Sequence, residues 1–219
     1  PFEVRCRLGA AAGTAAGIYG AVCGSPPARE LEALRRAARK AVMHGGARAA
    51  AEVVFGLLSP TWRLDPKAVA VLAPVLQAVK AIRSGRLNLD SWRRTAGAIA
   101  AGHGRGSGPV AAAVKTLVQL GLGADLETWT GVPAAPRGWR PREQTVARTT
   151  AVLLEAWRRS QWRCLAARRV GFAHVRDGVD RTATRRLLES GTLAPDAAGA
   201  LRVVLCGNVV TERVARRWS

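Results

Sequence analysis

Arginine is the residue type with which this sequence could do chemistry. Between residues 146 and 169 a single acidic residue, Glu155, interrupts six arginines, which are Arg148, Arg158, Arg159, Arg163, Arg168 and Arg169. The guanidinium group donates paired, charge-assisted hydrogen bonds to phosphate and carboxylate oxygens. Such contacts hold a nucleic-acid backbone without reading its bases. A solvated helix face is the alternative, but such faces usually carry both signs of charge, so we predict a phosphate-binding surface.

Two tryptophans stand beside these arginines. Trp139 lies between Arg137 and Arg140, and Trp162 directly precedes Arg163. An aromatic ring next to arginine can stack on an unpaired base, and each such contact contributes about 1–3 kcal/mol. We therefore predict that Trp139 and Trp162 stack on bases, with packing in the protein core as the open alternative.

The net charge points to the same class of partner. The 219 residues include 34 Lys and Arg against 15 Asp and Glu, which gives +19, and residues 132–219 alone contribute +10. A field of this strength attracts polyanions and releases their counterions on binding. Coding bias is another source of arginine, but it would supply acidic residues as well. RNA or DNA, bound without sequence preference, is the expected partner. A helical protein-interaction or structural module, whose charge is only compositional, is the alternative.

Motifs for catalysis, metal binding and cofactor binding are missing from the sequence. The glycine-rich residues 102–108 lack the lysine followed by a hydroxyl residue that a P-loop needs, and no nucleophile–base motif is found. Asp177 and Asp180 have no further acidic residues near them, so a turn residue and a helix N-cap are favoured over metal ligands. We expect no catalytic residue, no metal and no cofactor.

Compartment and membrane contact can be judged from cysteine spacing and apolar runs. The four cysteines are far apart and form neither a disulfide framework nor a zinc motif, which favours the reducing nucleus or cytoplasm. No apolar run reaches the roughly 18 residues of a membrane span. The opening residues Pro1, Phe2 and Glu3 show no leader pattern. We expect no membrane contact, no secretory signal and an internal part of a longer protein.

Helices must position all of these side chains. Apolar residues recur at every third or fourth position, and Ala, Leu and Arg favour helices, so we predict an all-α fold, an irregular multi-helix bundle. Residues 143–169 contain no helix breaker and should form the longest helix. Caps or first-turn prolines mark further helix starts at Asp65, at Asn88 or Asp90, and at Pro109, Asp180 and Pro195.

Glycine-rich and proline-rich stretches divide the chain into four segments. Residues 1–101 form an N-terminal helical region, and residues 102–108 a glycine-rich linker. A short helix and a loop rich in Pro, Arg and Trp fill residues 109–142, and residues 143–219 form the basic C-terminal helical region. Three tryptophans of these segments are predicted to fill the core, namely Trp62, Trp92 and Trp157.

Several short motifs resemble a family of polymerases. Residues 17–20 read Gly-Ile-Tyr-Gly and are followed by the helix-forming stretch 30–39, Glu-Leu-Glu-Ala-Leu-Arg-Arg-Ala-Ala-Arg. This arrangement is similar to the segment after the polymerase core of non-LTR (LINE-type) retrotransposon reverse transcriptases. Residues 62–66, 108–112, 157–159 and 207–213 resemble the helical region that follows the thumb in such reading frames from GC-rich protist genomes.

The resemblance implies a role in nucleic-acid handling without catalysis. The family's Tyr/Phe-x-Asp-Asp carboxylates are absent from this sequence, and so is an acidic set typical of RNase H. The chain would then be the thumb and post-thumb helical region of a polyprotein, with a thumb-like start at residues 1–45, holding template RNA or target DNA. The rest of that parent polyprotein is a further implied partner.

Overall fold

The fold of the computed structural model is all-α, as the sequence predicts. The structure describes residues 2–20, 26–43, 49–103, 106–126, 129 and 139–206. Ten α-helices lie within these residues: α1 Phe2–Leu8, α2 Ala15–Gly17, α3 Ala28–Val42, α4 Ala51–Val53, α5 Pro66–Arg83, α6 Leu89–Ala100, α7 Pro109–Gln119, α8 Val146–Arg168, α9 Arg181–Glu189 and α10 Pro195–Leu205. The extended contact seen in the described part is one antiparallel bridge between Trp129 and Trp139.

Side-chain caps fix several of the predicted helix starts. The Asp65 carboxylate accepts from the Lys67 amide at 3.0 Å ahead of α5. The Asn88 side chain accepts from the Asp90 amide at 2.8 Å ahead of α6. Asp180 accepts from the Ala183 amide at 2.9 Å and caps α9. These oxygens satisfy backbone donors that have no partner inside the helix, and the predicted N-cap role of Asp180 is confirmed.

Helix α8 is the longest helix of the described residues, with 23 residues, but it begins later than predicted. Pro141–Glu143 form a separate short 3-10 turn. The Thr145 hydroxyl then accepts from the Arg148 amide at 3.2 Å and caps the helix. The threonine cap therefore places the first helical residue at Val146, three residues beyond the predicted start.

The segment that includes residues 51–58 is only partly α-helical. The described part runs as α4, a single turn, followed by the π-helical segment Val54–Leu58. Gly56 lies in that wider segment, and a methyl group at its Cα would stand only 3.2 Å from the Trp162 ring. The missing side chain lets the indole of α8 pack directly on this backbone.

Helix α8 connects two hydrophobic clusters. Its first half packs with α5, α6 and α7 through residues such as Leu72, Trp92 and Leu153. Its second half packs with α1 and the 49–58 segment around Trp162 and Leu165. The first cluster includes residues on both sides of the predicted 102–108 linker, so these segments share one core. The four-segment division of the chain stays a prediction.

Residues 17–20, which carry part of the family resemblance, lie against α3. A methyl group at Gly17 would stand 2.6 Å from Leu34 Cδ2, so a larger residue here would require the Leu34 side chain to shift. Ile18 is buried in a small cluster with Ala70, packed against Leu31 and Leu34. The motif therefore serves helix packing in this structure.

Candidate phosphate-binding site

Helix α8 and the end of α7 form a groove that arginine side chains line. We call this cavity, of about 390 Å³, the α7–α8 groove. Its polar lining comes from Gln119 on α7 and from Arg159, Ser160 and Arg163 on α8. None of the described residues that line it is acidic. The two arginines are four positions apart, and this spacing places them on the same face of a helix.

Both groove arginines can offer hydrogen-bond donors to an anion. Arg163 is exposed and makes no ion pair or hydrogen bond with any described residue. Arg159 is half-buried, and its Nε lies 3.5 Å from Glu155 Oε1. That Nε is enclosed and has no hydrogen-bond partner within the described part of the chain. An oxyanion in the groove would supply the missing acceptors.

The other predicted arginines do not join this groove. Helical residues rotate by about 100° per position, so Arg158 lies on another face of α8, where it lines a second cavity with Trp162. Arg140 forms an ion pair with Glu143 at 3.1 Å. Arg137 lies outside the described residues. The structure therefore does not unite the predicted row of arginines into one surface.

Three of the remaining arginines are placed by contacts of their own. The guanidinium of Arg148 lies over the Trp139 ring, 4.9 Å from its centroid, and Arg168 forms an ion pair with the buried Glu52. Arg169 is exposed just after the end of α8. Exposed basic charge is therefore spread along the helix, while the α7–α8 groove is the place where two of these arginines face one cavity.

The prediction that Trp139 and Trp162 stack on bases is wrong, because both side chains are buried. Trp139 is 3% exposed and Trp162 is 5% exposed. The Trp129 amide donates to the Trp139 carbonyl at 2.8 Å, and Arg148 covers one face of the Trp139 ring. Trp162 packs on Gly56. The open alternative, packing in the core, is what the structure shows for both.

The predicted core tryptophans take the expected positions. Trp92 is fully buried, Trp157 is buried, and the half-buried Trp62 packs against the same cluster. Their size fills an interior in which alanine is common, which fits the reason for predicting them there.

An ion network in the core was not predicted from the sequence. Arg35 of α3 is 3% exposed, and it donates through Nε and Nη2 to the two carboxylate oxygens of Asp65, both at 3.0 Å. Nη2 also donates to Gln161 Oε1 at 3.2 Å, and Nη1 lies 3.6 Å from Glu52 Oε1. One signal was available: Arg35 sits within the apolar stripe of α3, beside Leu31, Leu34 and Ala38.

The described cysteines differ sharply in environment, and this predicts selective labelling. Cys6 and Cys206 are fully buried, and burial raises their thiol pKa values to about 11 and about 12. Cys164 is exposed. Because the thiolate is the reactive form, iodoacetamide near neutral pH should label Cys164 in the native chain and leave Cys6 and Cys206 unmodified. Peptide mass mapping reads the sites, and a urea-unfolded sample is the control. Native labelling of Cys6 or Cys206 at the rate of Cys164 would contradict the fold.

Metal-binding and membrane-spanning features were searched within the described ranges. No group of three His, Cys, Asp or Glu side chains comes close enough to hold a metal ion there. None of the helices in that part of the chain combines the length and apolar character that crossing a bilayer requires. Asp177 lies in a turn, as predicted, and lines the cavity beside Arg158.

Comparisons with known proteins give the chain no family. No protein-family model, no curated protein and no solved structure matches it. The resemblance to retrotransposon reverse transcriptases therefore rests on the short sequence motifs, and a function has to be argued from the geometry of the described residues.

Proposed function

We propose that this chain is a non-catalytic, basic helical segment that binds nucleic acid through its phosphates. The observation that carries the proposal is the α7–α8 groove, where Arg159 and Arg163 face one cavity lined by no acidic described residue. The net charge of +19 supports it, because that field draws polyanions to the chain from a distance.

The proposed mode of binding is backbone tracking. Arg159 and Arg163 would donate to phosphate oxygens, and Ser160 and Gln119 would add neutral hydrogen bonds from the two walls. Contacts to phosphate carry no sequence information, so binding should be independent of base sequence. Tryptophan stacking has no part in this mode, since Trp139 and Trp162 are buried.

The family resemblance supplies the proposed context. A segment after the polymerase core of a retroelement reverse transcriptase would hold template RNA or target DNA while the catalytic carboxylates lie elsewhere in the parent polyprotein. The sequence lacks those carboxylates, which agrees with a holding role. Residues 17–20 and 30–39 support this placement through sequence similarity.

Neutralising the groove should weaken nucleic-acid binding more than neutralising charge elsewhere. We expect the double variant R159Q/R163Q to bind a fluorescent single-stranded 30-mer at least tenfold more weakly than the wild type at low salt, because two charge-assisted contacts of about 1.5–3 kcal/mol each are lost. Fluorescence anisotropy measures this. The matched control is R86Q/R94Q, which removes two exposed arginines that line neither cavity.

The control also tests the alternative function. If R159Q/R163Q and R86Q/R94Q weaken binding equally, the groove has no special role and the positive charge reflects only the composition of the chain. A helical interaction module with an acidic protein partner then becomes the better account. Comparing the 30-mer with its duplex then shows whether the groove prefers one strand or two.

A further inference from the structure

A second basic cluster lies on the other side of α8, between α8 and α9. Arg158 of α8 and Arg181 of α9 line a cavity of about 300 Å³, together with Trp162 and the two acidic residues Glu155 and Asp177. On the far side of Arg181, a hollow of about 240 Å³ is lined by Arg185, Arg186 and Thr182. Arginines four positions apart share a helix face, so Arg181 and Arg185 both face the region of Arg158.

The structure holds Arg181 in place while leaving a donor unused. Its Nη2 donates to the backbone carbonyl of the buried Ser59 at 2.8 Å. Its Nε is enclosed and has no hydrogen-bond partner among the described residues. A buried donor without an acceptor costs free energy, and a ligand oxygen in the cavity would supply that acceptor.

Arg158 is the second side chain available to a ligand. It is half-buried and forms no ion pair or hydrogen bond with any described residue. Burial lowers its pKa, and the charge of Arg185 lowers it further, against the opposing effect of Glu155. Burial also lowers the pKa of Arg181, to about 10, with the charges of Arg158 and Arg185 adding to the effect. Like charges are thus held close together, and an anion between them would relieve the repulsion.

The acidic groups that face this cluster are mostly engaged. Glu155 lines the cavity and also lies 3.5 Å from Arg159 Nε. Glu189 accepts from Arg185 Nε at 2.7 Å. Asp177 lines the cavity without an ion pair to a described residue. Asp177 would therefore lie beside a bound anion and limit its charge or its depth in the cavity.

We infer that Arg158, Arg181 and Arg185 form a binding site for a single phosphate group, separate from the α7–α8 groove. Arg158 and the Nε of Arg181 would donate to the phosphate oxygens, and Arg185 would contribute through its charge. The phosphate can belong to a terminal monoester or to a backbone diester, because both present the same oxygens. The inference is independent of the proposed function, since an isolated phosphate ion suffices to occupy the site.

The test uses inorganic phosphate as the probe and the full chain as the protein. Thermal melting is recorded in sodium phosphate and in sodium chloride of matched ionic strength. We expect a saturable rise in the wild-type melting temperature with phosphate, lost in R158Q and in R185Q. R159Q/R163Q should keep the rise, because the α7–α8 groove is not needed for it. In chloride, R158Q should melt no lower than the wild type, because removing a charge relieves repulsion, whereas a side chain needed only for packing would lower the melting temperature.

Two results would overturn the site. One is a wild-type melting temperature that phosphate does not change at matched ionic strength. The other is a phosphate response of the same size in R158Q, R185Q and the wild type, with all three folded by circular dichroism.

A 5′-phosphorylated and an unphosphorylated single strand then distinguish the source of the phosphate. If the site takes a terminal phosphate, the wild type binds the phosphorylated strand more tightly than the unphosphorylated one, and R158Q does not. If the site takes a backbone phosphate, the wild type binds both strands equally, and R158Q binds both more weakly. If R159Q/R163Q binds nucleic acid weakly but keeps the phosphate-dependent rise in melting temperature, this phosphate site is distinct from the groove of the proposed function.

Discussion

Replacing Arg35 with methionine should lower the free energy of unfolding by about 3–5 kcal/mol, the range expected when one partner of a buried ion pair is removed. The guanidinium pairs with both carboxylate oxygens of Asp65 at 3.0 Å, and its Nη1 lies 3.6 Å from Glu52. Both acids are buried, at 3% and 5% exposed. Methionine fills a similar volume but leaves the buried Asp65 carboxylate without a cation and leaves Glu52 paired with Arg168 alone.

Urea denaturation of R35M, with R36M as the control, measures this effect. Arg36 is the next residue on α3, is exposed, and loses the same charge when substituted. R36M should stay within about 0.5 kcal/mol of the wild type, as most surface substitutions do. A loss in R35M no larger than in R36M would contradict the buried network.

The pH dependence of R35M follows from the same network. Burial raises the pKa of Asp65, with Arg35 opposing this effect. A carboxyl whose pKa is raised on folding destabilises the folded state above its unfolded pKa, and this cost falls as pH drops through the raised value. Without Arg35 the pKa of Asp65 should rise further. The stability deficit of R35M should therefore shrink as the pH is lowered from neutrality, whereas a deficit independent of pH would assign it to packing.

Truncating Trp92 to alanine should cost about 3–5 kcal/mol, the usual range for removing a buried aromatic side chain. Trp92 is 1% exposed at the centre of the first hydrophobic cluster. Its indole N–H also donates to the Ala124 carbonyl at 2.9 Å, which ties α6 to the chain after α7. The variant W92A therefore loses both the packing and the hydrogen bond.

The variant W92F separates these two contributions. Phenylalanine keeps most of the apolar volume but cannot donate to Ala124, so we expect a loss of about 1–3 kcal/mol, smaller than that of W92A. Urea or thermal unfolding followed by circular dichroism measures both. A loss below about 1 kcal/mol in W92A would contradict the placement of this ring in the core.

Local signals predicted the helices well because caps act within a few residues. Asp65, Asn88 and Asp180 each accept from an amide two or three positions ahead, so the sequence contains both partners side by side. Helix α8 begins three residues later than predicted because Pro141–Glu143 form a separate 3-10 turn and Thr145 then caps the helix. The periodicity of apolar residues alone does not show which of several neighbouring residues begins a helix.

The site could be predicted only in part because its partners are distant in the chain. Arg168 pairs with Glu52, 116 positions away, and Arg35 contacts Gln161, 126 positions away. The neighbouring residues in the sequence do not distinguish Arg163, which is exposed, from Arg168, which is ion-paired. Trp162 was predicted to stack on bases. In the fold it packs on Gly56, which belongs to another element, and the sequence around Trp162 does not reveal this contact. Pairing and burial of this kind follow from tertiary contacts, which residue spacing does not contain.

The salt dependence of nucleic-acid binding tests the central claim most directly. Each phosphate contact on a single strand contributes about −0.7 to the slope of log K against log salt concentration. We predict a steep slope for the wild type, a slope shallower by about 1.4 for R159Q/R163Q, and an unchanged slope for R86Q/R94Q. A slope for R159Q/R163Q equal to that of the wild type would contradict phosphate binding in the α7–α8 groove.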